Sequence, residues 1–312
     1  MSIKSASIAD RRCVVLGAAG FIGTNLCRGL LDEGATVIGV DVKSSNPALP
    51  GLERHTIQLA ETALLEQLLR PDDVVFHLVS TTVPGSPVTP EQDVAENVLP
   101  TLRLMESCVR RKIGRVVFVS SGGTVYGPDV PVPTPEDAPT NPISSYGTQK
   151  LMIEKYLSIY RRLHGLDSFV LRISNPFGPH QINPQQGLIA SVIRHALAGT
   201  PVNVFGDGLA IRDYIYIDDA VSAMVRAAVL DNAIVPRTYN IGTGVRRSIN
   251  DVISTVEAAH GRPIAVNRLP RRSVDLLVSQ LDISRAAEFL QWSPAMPWER
   301  AIQLSYAWAK AN

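Results

Sequence analysis

Short apolar runs alternate with longer amphipathic stretches through the first 175 residues of the chain. RCVVLG at 12–17, TVIGVD at 36–41, DVVFHLV at 73–79, RVVFVSS at 115–121 and DSFVLRI at 167–173 are apolar at nearly every position. A strand with one wet face alternates with a period of two, so unbroken apolar runs predict strands covered on both faces. Between them, the patterns at 24–33, 61–70, 92–112 and 146–164 predict helices. Strands separated by helices give a parallel sheet, and right-handed crossovers make it a doubly wound α/β fold. Beyond 176 the pattern is less regular, with helices expected near 186–199, 217–231, 248–259 and 297–310. The chain therefore reads as a sheet domain over 1–175 and a smaller substrate-binding lobe over 176–312. The stretch around 237–244 is expected to return to the first domain.

Two connections stand out. Residues 128–142, PDVPVPTPEDAPTNP, hold six prolines. Proline fixes φ and removes a donor, so this is a stiff loop, and it follows the carboxyl end of a strand, where such sheets bind ligands. The other connection is GAAGFIG at 17–23, between the first strand and the first helix. Gly17 permits a tight turn, Gly20 lets backbone approach a pyrophosphate, and Gly23 lets the helix lie against the sheet. Phe21 and Ile22 open that helix, whose unpaired N–H groups and positive dipole end favour phosphate. A glycine triplet alone is a weak signal. Asp41 strengthens it, because it ends the next strand 18 residues after Gly23, close to the separation expected of a ribose-binding acid. A carboxylate there accepts from a ribose 2′-hydroxyl and repels a 2′-phosphate, which favours NAD over NADP and predicts a Rossmann-type NAD site.

The second candidate is YGTQK at 146–150. Tyr146 and Lys150 share a helix face at this spacing, and an ammonium beside a phenol favours the phenolate and so a general base. Such a pair is commonplace on helix surfaces; behind a dinucleotide site it carries weight. Composition adds exclusions. With 312 residues, 19% charged and a net charge of +1, the chain has no strong field for nucleic acid or a membrane surface. Cys13, Cys27 and Cys108 have neither metal spacing nor a disulfide framework, as expected in a reducing cytosol. The N-terminus MSIKSASIADRR lacks an apolar signal core, and nowhere do 18 apolar residues run together. A cytoplasmic protein without metal, membrane or nucleic-acid partners is expected.

GAAGFIG, Asp41, FHLVS at 76–80, SSGGTVYG at 120–127, YGTQK, RISNPFGP at 172–179, RDYIYIDD at 212–219 and YNIGTG at 239–244 follow one another in order. Together they resemble the extended short-chain dehydrogenase/reductase family, particularly its nucleotide-sugar 4-epimerases, from about 12 to 310. The resemblance implies tightly held NAD lined by Leu78, Val79, Ser80 and Asn97, with Lys150 on the nicotinamide ribose. It implies that Tyr146 takes the proton of a sugar hydroxyl while C4 is oxidised, the 4-keto sugar turns over, and reduction on its other face gives the C4 epimer. It also implies a homodimer through the helices at 92–112 and 146–164, whose faces carry Leu157, Ile159 and Tyr160.

The departures are specific. The family's usual catalytic Ser/Thr falls at Gly122, which has no hydroxyl, leaving Ser121 and Thr124 as the nearest candidates beside a glycine that borders the substrate. Gly123 and Thr124 stand where 4,6-dehydratases carry Asp-Glu, so dehydration and decarboxylation are not expected. Toward the substrate, Arg212 and Arg272 match the family's pyrophosphate arginines, Asp275 its ribose or loop-fixing acid, and Asn175 a substrate-binding asparagine. Arg172 is expected to be structural. Ser279 is small at a position that admits or excludes a 2-acetamido group, so a UDP-linked hexose, N-acetylhexosamine or its uronic acid is sterically allowed. Two alternatives stay open: a reductase of nucleotide-linked 4-keto sugars using His180, and a catalytically idle NAD-binding sensor. Polysaccharide precursor supply is the expected setting.

Overall fold

The structure, a computed structural model, describes residues 7–43, 49–84, 86, 88–184, 186–230, 236–271 and 276–312. The first unit runs β1 (Arg12–Leu16), α1 (Phe21–Asp32), β2 (Thr36–Asp41), β3 (Glu53–Thr56), α2 (Thr62–Leu68) and β4 (Val74–His77). A short α3 (Pro90–Asp93) passes through a π-helical turn (Val94–Val98) into α4 (Leu99–Arg110). Then come β5 (Arg115–Ser121), α5 (Ser145–His164), β6 (Ser168–Ile173), β7 (Asn175–Phe177) and α6 (Leu188–Ala198). The chain continues through β8 (Val202–Phe205), β9 (Ile211–Arg212), β10 (Tyr214–Tyr216), α7 (Ile217–Val229) and β11 (Thr238–Ile241). It ends with β12 (Arg247–Ser248), α8 (Ile249–His260), β13 (Val266–Leu269), a second π-helical turn (Ala286–Leu290) and α9 (Trp298–Ala311).

Seven parallel strands form the sheet in the order β11-β6-β5-β4-β1-β2-β3, the doubly wound topology expected of the sequence. Its central strands are buried on both faces for the reason the apolar runs predict. Cys13, Val15, Phe76, Val117 and Leu171 point into one core with α1, α6, α7 and α8. Val14, Leu16, Val75, Phe118 and Val170 point into the other, under α2, α4 and α5. Beyond 175, β11 joins this sheet beside β6 and α7 packs on α1. The pairs β7–β10, β8–β13 and β9–β12 make three small separate sheets.

Two departures from the sequence pattern have physical causes. β3 is Glu-Arg-His-Thr, an edge strand with no apolar period to announce it. The stretch read as one helix over 92–112 is three segments. Pro100 lacks the N–H that an α-helix would direct to Glu96, and just before it the ladder widens so that Leu99 N–H reaches the Val94 carbonyl five residues back. Leu157, expected on an exposed face, is 1% exposed and belongs to the core, whereas Leu99, Ile159 and Leu163 on α4 and α5 are exposed.

Candidate active site

The carboxyl ends of β1, β4 and β5 lie side by side and carry the candidate residues. After Leu16 the chain turns at Gly17, whose φ of +88° favours glycine, and the Gly17 and Ala18 N–H groups both donate to the Val40 carbonyl, at 2.8 and 3.2 Å. At Gly23 the constraint is steric: a Cβ would lie 2.0 Å from the Gly17 carbonyl oxygen, so α1 could not start here with any side chain. Gly20 is the N-cap, and neither a capping side chain nor an acid in the first turn occupies its N–H groups. Those groups remain available to an anion. Phe21 and Ile22 pack their side chains against the core and offer backbone to the site. Asp41 closes the turn from β2, its Oδ2 accepting from Ala19 N–H at 2.9 Å and its Oδ1 from Lys43 N–H at 3.2 Å. A glycine cradle that a Cβ would fill, an uncapped helix start and a carboxylate beside them fit NAD.

The segment after β4 forms the facing wall. Leu78, Val79 and Ser80 are half-buried, and the Val79 nitrogen would lie 3.2 Å from a Cβ on Gly17. Ser80 Oγ donates to the Thr82 carbonyl at 2.8 Å. Asn97 is buried and grips this wall: its Oδ1 accepts from Thr81 N–H and its Nδ2 donates to Thr81 Oγ1, both at 2.9 Å. Thr101 Oγ1 donates to the Asn97 carbonyl at 2.6 Å and is 2.8 Å from His77 Nε2. Because the Thr101 proton is directed at Asn97, His77 donates from Nε2, while its buried Nδ1 has no partner among the described residues. Burial, helped by the Lys150 charge, pushes its pKa down to about 3.

Tyr146 and Lys150 stand at the start of α5, which Ser144 caps by accepting from Gly147 N–H at 3.1 Å. Lys150 is 3% exposed; its Nζ donates to the Val119 carbonyl at 3.1 Å and lies 5.8 Å from the Tyr146 ring centroid. The expectation that the ammonium lowers the phenol is overturned in this structure. Although the residue as a whole is half-buried, loss of water around the phenol raises Tyr146 to about 12. Burial also lowers Lys150 to about 8, against the opposing pull of Glu154. Low dielectric disfavours both charges, and the Val119 carbonyl accepts one hydrogen bond from the lysine. Tyr146 therefore holds its proton in this arrangement.

The turn after β5 explains the missing hydroxyl. Gly122 donates to the Ile173 carbonyl at 2.8 Å, and a Cβ there would lie 2.6 Å from Leu281 Cδ1 and 3.0 Å from the Arg172 carbonyl. Leu281 occupies the place of a side chain at 122. Thr124 Oγ1 is buried with no hydrogen-bond partner among the described residues, and the Thr124 carbonyl abuts Gly147 of α5. Ser121 is half-buried at the end of β5, its carbonyl accepting from Val125 N–H at 3.2 Å.

Toward the second lobe, Asn175 Nδ2 donates to the Asp213 carbonyl at 2.9 Å. The Asp213 carboxylate, 1% exposed, accepts from Thr243 N–H and Oγ1 at 2.8 Å and from Gly244 N–H at 3.0 Å, tying β11's end to the site. Arg212 donates to the Ile211 and Leu276 carbonyls at 2.8 and 2.9 Å, and Ser279 N–H donates to the Ile211 carbonyl at 3.1 Å. Arg212 and Ser279 are thereby brought to one edge of β9. Arg272 and Asp275 lie outside the described residues. Arg172 pairs with Glu154 at 2.7 Å in the interior, with Ser120 Oγ on the same carboxylate at 2.5 Å, which is the structural role expected of it. His180 is held by Arg28 of α1 at 2.5 Å and by the Trp308 ring of α9 at 5.0 Å, an engagement that leaves the reductase alternative without support from this residue.

Sequence reasoning passed over a polar group beside Tyr146. Thr82, Ser86, Asp93, Ser144, Ser145 and Tyr146 border a cavity of about 230 Å³. Gln149, inside the quoted YGTQK, reaches Thr82 there, but an interior amide at that position has no counterpart in a simple YxxxK reading. Among the described residues no cluster of His, Cys, Asp or Glu is placed to hold a metal, and no helix is long and apolar enough to cross a membrane.

With this geometry in view, similarity to known proteins is informative. Residues 13–242 match the model of the NAD dependent epimerase/dehydratase family. The UDP-glucose 4-epimerase of Mycolicibacterium smegmatis is 37% identical over 304 residues, covering 93% of this chain and 96% of that protein. The Thermotoga maritima UDP-glucose 4-epimerase, solved with UDP-glucose, superposes with a TM-score of 0.90 at 32% identity, covering 96% of this chain and 99% of that one. The UDP-glucuronic acid 4-epimerase of Bacillus cereus, solved with UDP-glucuronic acid and NAD, gives 0.86 at 28% identity, with coverage of 96% and 99%. A match over most of the chain, together with relatives of this identity and coverage, shows that this chain belongs to the NAD-dependent epimerase/dehydratase family.

Proposed function

We propose that the protein is an NAD-dependent epimerase that inverts C4 of a UDP-linked sugar. The observation that carries the reading is the set of side chains able to move a proton at the site. Gly123 and Thr124 occupy the positions where dehydration would need acids, and Tyr146, beside buried Lys150, is the proton-handling group that remains. NAD, when bound, supplies the reversible acceptor for the hydrogen on C4. The Gly17–Gly23 turn and Asp41 hold its adenosine diphosphate half, and the wall at 78–80, positioned by Asn97, bounds the rest.

As the phenolate, which the Lys150 ammonium and the positive charge of bound NAD would favour over the protonated form seen in this structure, Tyr146 Oη takes the proton from the sugar 4-hydroxyl and returns it to the 4-keto oxygen after the ring has turned over. Lys150 fixes the local charge. Thr124 supplies the hydroxyl that Gly122 lacks, because its buried Oγ1 has a hydrogen-bonding capacity that no described residue uses. Arg212 and Arg272 clamp the pyrophosphate, Asp275 and Asn175 fix the nucleotide and sugar ends, and small Ser279 leaves room for a 2-acetamido group. A homodimer through α4 and α5 accounts for exposed Leu99, Ile159 and Leu163, and the reading places the enzyme in cytoplasmic supply of polysaccharide precursors.

Steady-state kinetics of three variants test these assignments. Tyr146→Phe is expected to lower kcat by about 1,000-fold. Thr124→Val is expected to lower it by about 100-fold. Ser121→Ala is expected to stay within about twofold, since its side chain has no assigned contact to the reacting oxygen. A near-native Tyr146→Phe would overturn the mechanism, and a loss confined to Ser121→Ala would transfer the hydroxyl role to Ser121.

A further inference from the structure

We propose that the cavity beside Tyr146 admits only neutral sugar substituents, so that the substrates are UDP-linked hexoses or N-acetylhexosamines and not hexuronic acids. The proposal rests on the C4-epimerase reading and does not follow from family membership, because a uronate epimerase is among the similar structures.

The walls of the cavity carry the charge argument. Thr82, Ser86, Ser144, Ser145 and Tyr146 present hydroxyls, and Asp93 presents a carboxylate although the residue is 1% exposed. None of the described residues lining the cavity is basic. Asp93 Oδ1 accepts from Thr82 Oγ1 at 2.7 Å, and Gln149 Nε2 donates to Thr82 Oγ1 at 2.7 Å while lying 3.4 Å from the same carboxylate oxygen. This chain of donors orients Thr82 so that its proton points at Asp93. Among the described residues no side-chain or backbone donor reaches Asp93 Oδ2. Asp93 therefore gives the cavity one carboxylate with no cation opposite it among the described lining residues, which the hydroxyls and amide of a neutral sugar can meet and which repels a second carboxylate.

The reaction makes this encounter unavoidable. C1 and C4 lie opposite each other in a pyranose. Half a turn about the C1–C4 axis keeps C4 at Tyr146 but exchanges the C2/C3 edge with the edge that bears C6. A cavity flanking Tyr146 thus receives the C6 substituent in one half of the cycle and the C2/C3 substituents in the other. A hydroxymethyl and a 2-acetamido group are neutral and donate hydrogen bonds, whereas a C6 carboxylate must spend half of every turnover beside Asp93. Binding of a uronate in the opposite pose does not relieve this, because epimerisation requires both poses.

The test measures kcat/KM for UDP-glucose, UDP-N-acetylglucosamine and UDP-glucuronate with the full chain by proton NMR. The wild-type protein is expected to favour its better neutral substrate over UDP-glucuronate by at least about 100-fold, the scale of a like-charge penalty of a few kcal/mol. Asp93→Asn and Asp93→Ser are each expected to narrow that ratio by about tenfold or more. The wild-type ratio decides without any variant folding. Comparable turnover of UDP-glucuronate by the wild type, or an unchanged ratio in both folded variants, would overturn the proposal while leaving the epimerase reading intact. Failure to convert any of the three, with NAD bound, would remove the reading and the proposal together.

Discussion

His77 illustrates how much a single side chain can mean beyond its type. In the sequence it is one polar letter inside an apolar strand. In the structure it donates to Thr101, which in turn fixes Asn97 and the wall of the cofactor site. Burial holds its pKa near 3, against 6.5 for a free imidazole. Between those values the unfolded chain binds a proton that the folded one refuses, so stability falls as pH drops through this window. The slope from this group is about 1.4 kcal/mol per pH unit. Urea unfolding at pH 4 to 7 should show that slope in the wild type and lose it in His77→Gln, which keeps a donor for Thr101 but takes up no proton. Equal slopes in both proteins would place the proton uptake elsewhere. The turn at Gly23, the acid that ends β2 and the nearness of Tyr146 to Lys150 were legible in the sequence, because each depends on local backbone geometry. The shifts of Tyr146 and Lys150 were not, because burial sums over neighbours from β5, α5 and their surroundings.

Elements were legible where their hydrophobic period was strong and hidden where it was not. The five apolar strands appear in the structure, with ends that differ by a residue or two, whereas β3 is polar and β7 to β10 are two to four residues long. The break before α4 follows from Pro100, a residue visible in the sequence whose effect on the helix needs the hydrogen-bond ladder to be seen. The β5–α5 connection holds the sharper lesson. Gly122 reads as a missing hydroxyl, yet its position is filled by Leu281, about 160 residues away in sequence. Gly122→Ser should therefore cost about 1–3 kcal/mol by overpacking. Leu281→Ala should cost about 2–5 kcal/mol alone. The double variant should lose at least about 1 kcal/mol less than the two single losses combined, measured by urea unfolding. Additive losses would show that Leu281 is not what excludes a side chain at 122.

At the scale of the molecule, the parallel sheet gathers the ends of β1, β4 and β5 so that a glycine turn, a buried lysine and a half-buried phenol share one edge. That convergence follows from strand order, and strand order follows from the alternation of strands and helices along the chain. The stretch beyond 175 was less legible because its strands are short and its small sheets two-stranded, and because β11 and α7 pack with elements before 175. A C4 epimerase of this kind must carry its own oxidant and regain it each cycle. Proton NMR time courses of the purified protein with UDP-glucose and UDP-N-acetylglucosamine, without added cofactor, test that demand directly. The account predicts a new anomeric signal from the C4 epimer of at least one sugar, growing to equilibrium over many turnovers. No epimer from either sugar, with NAD shown to be bound, would contradict it.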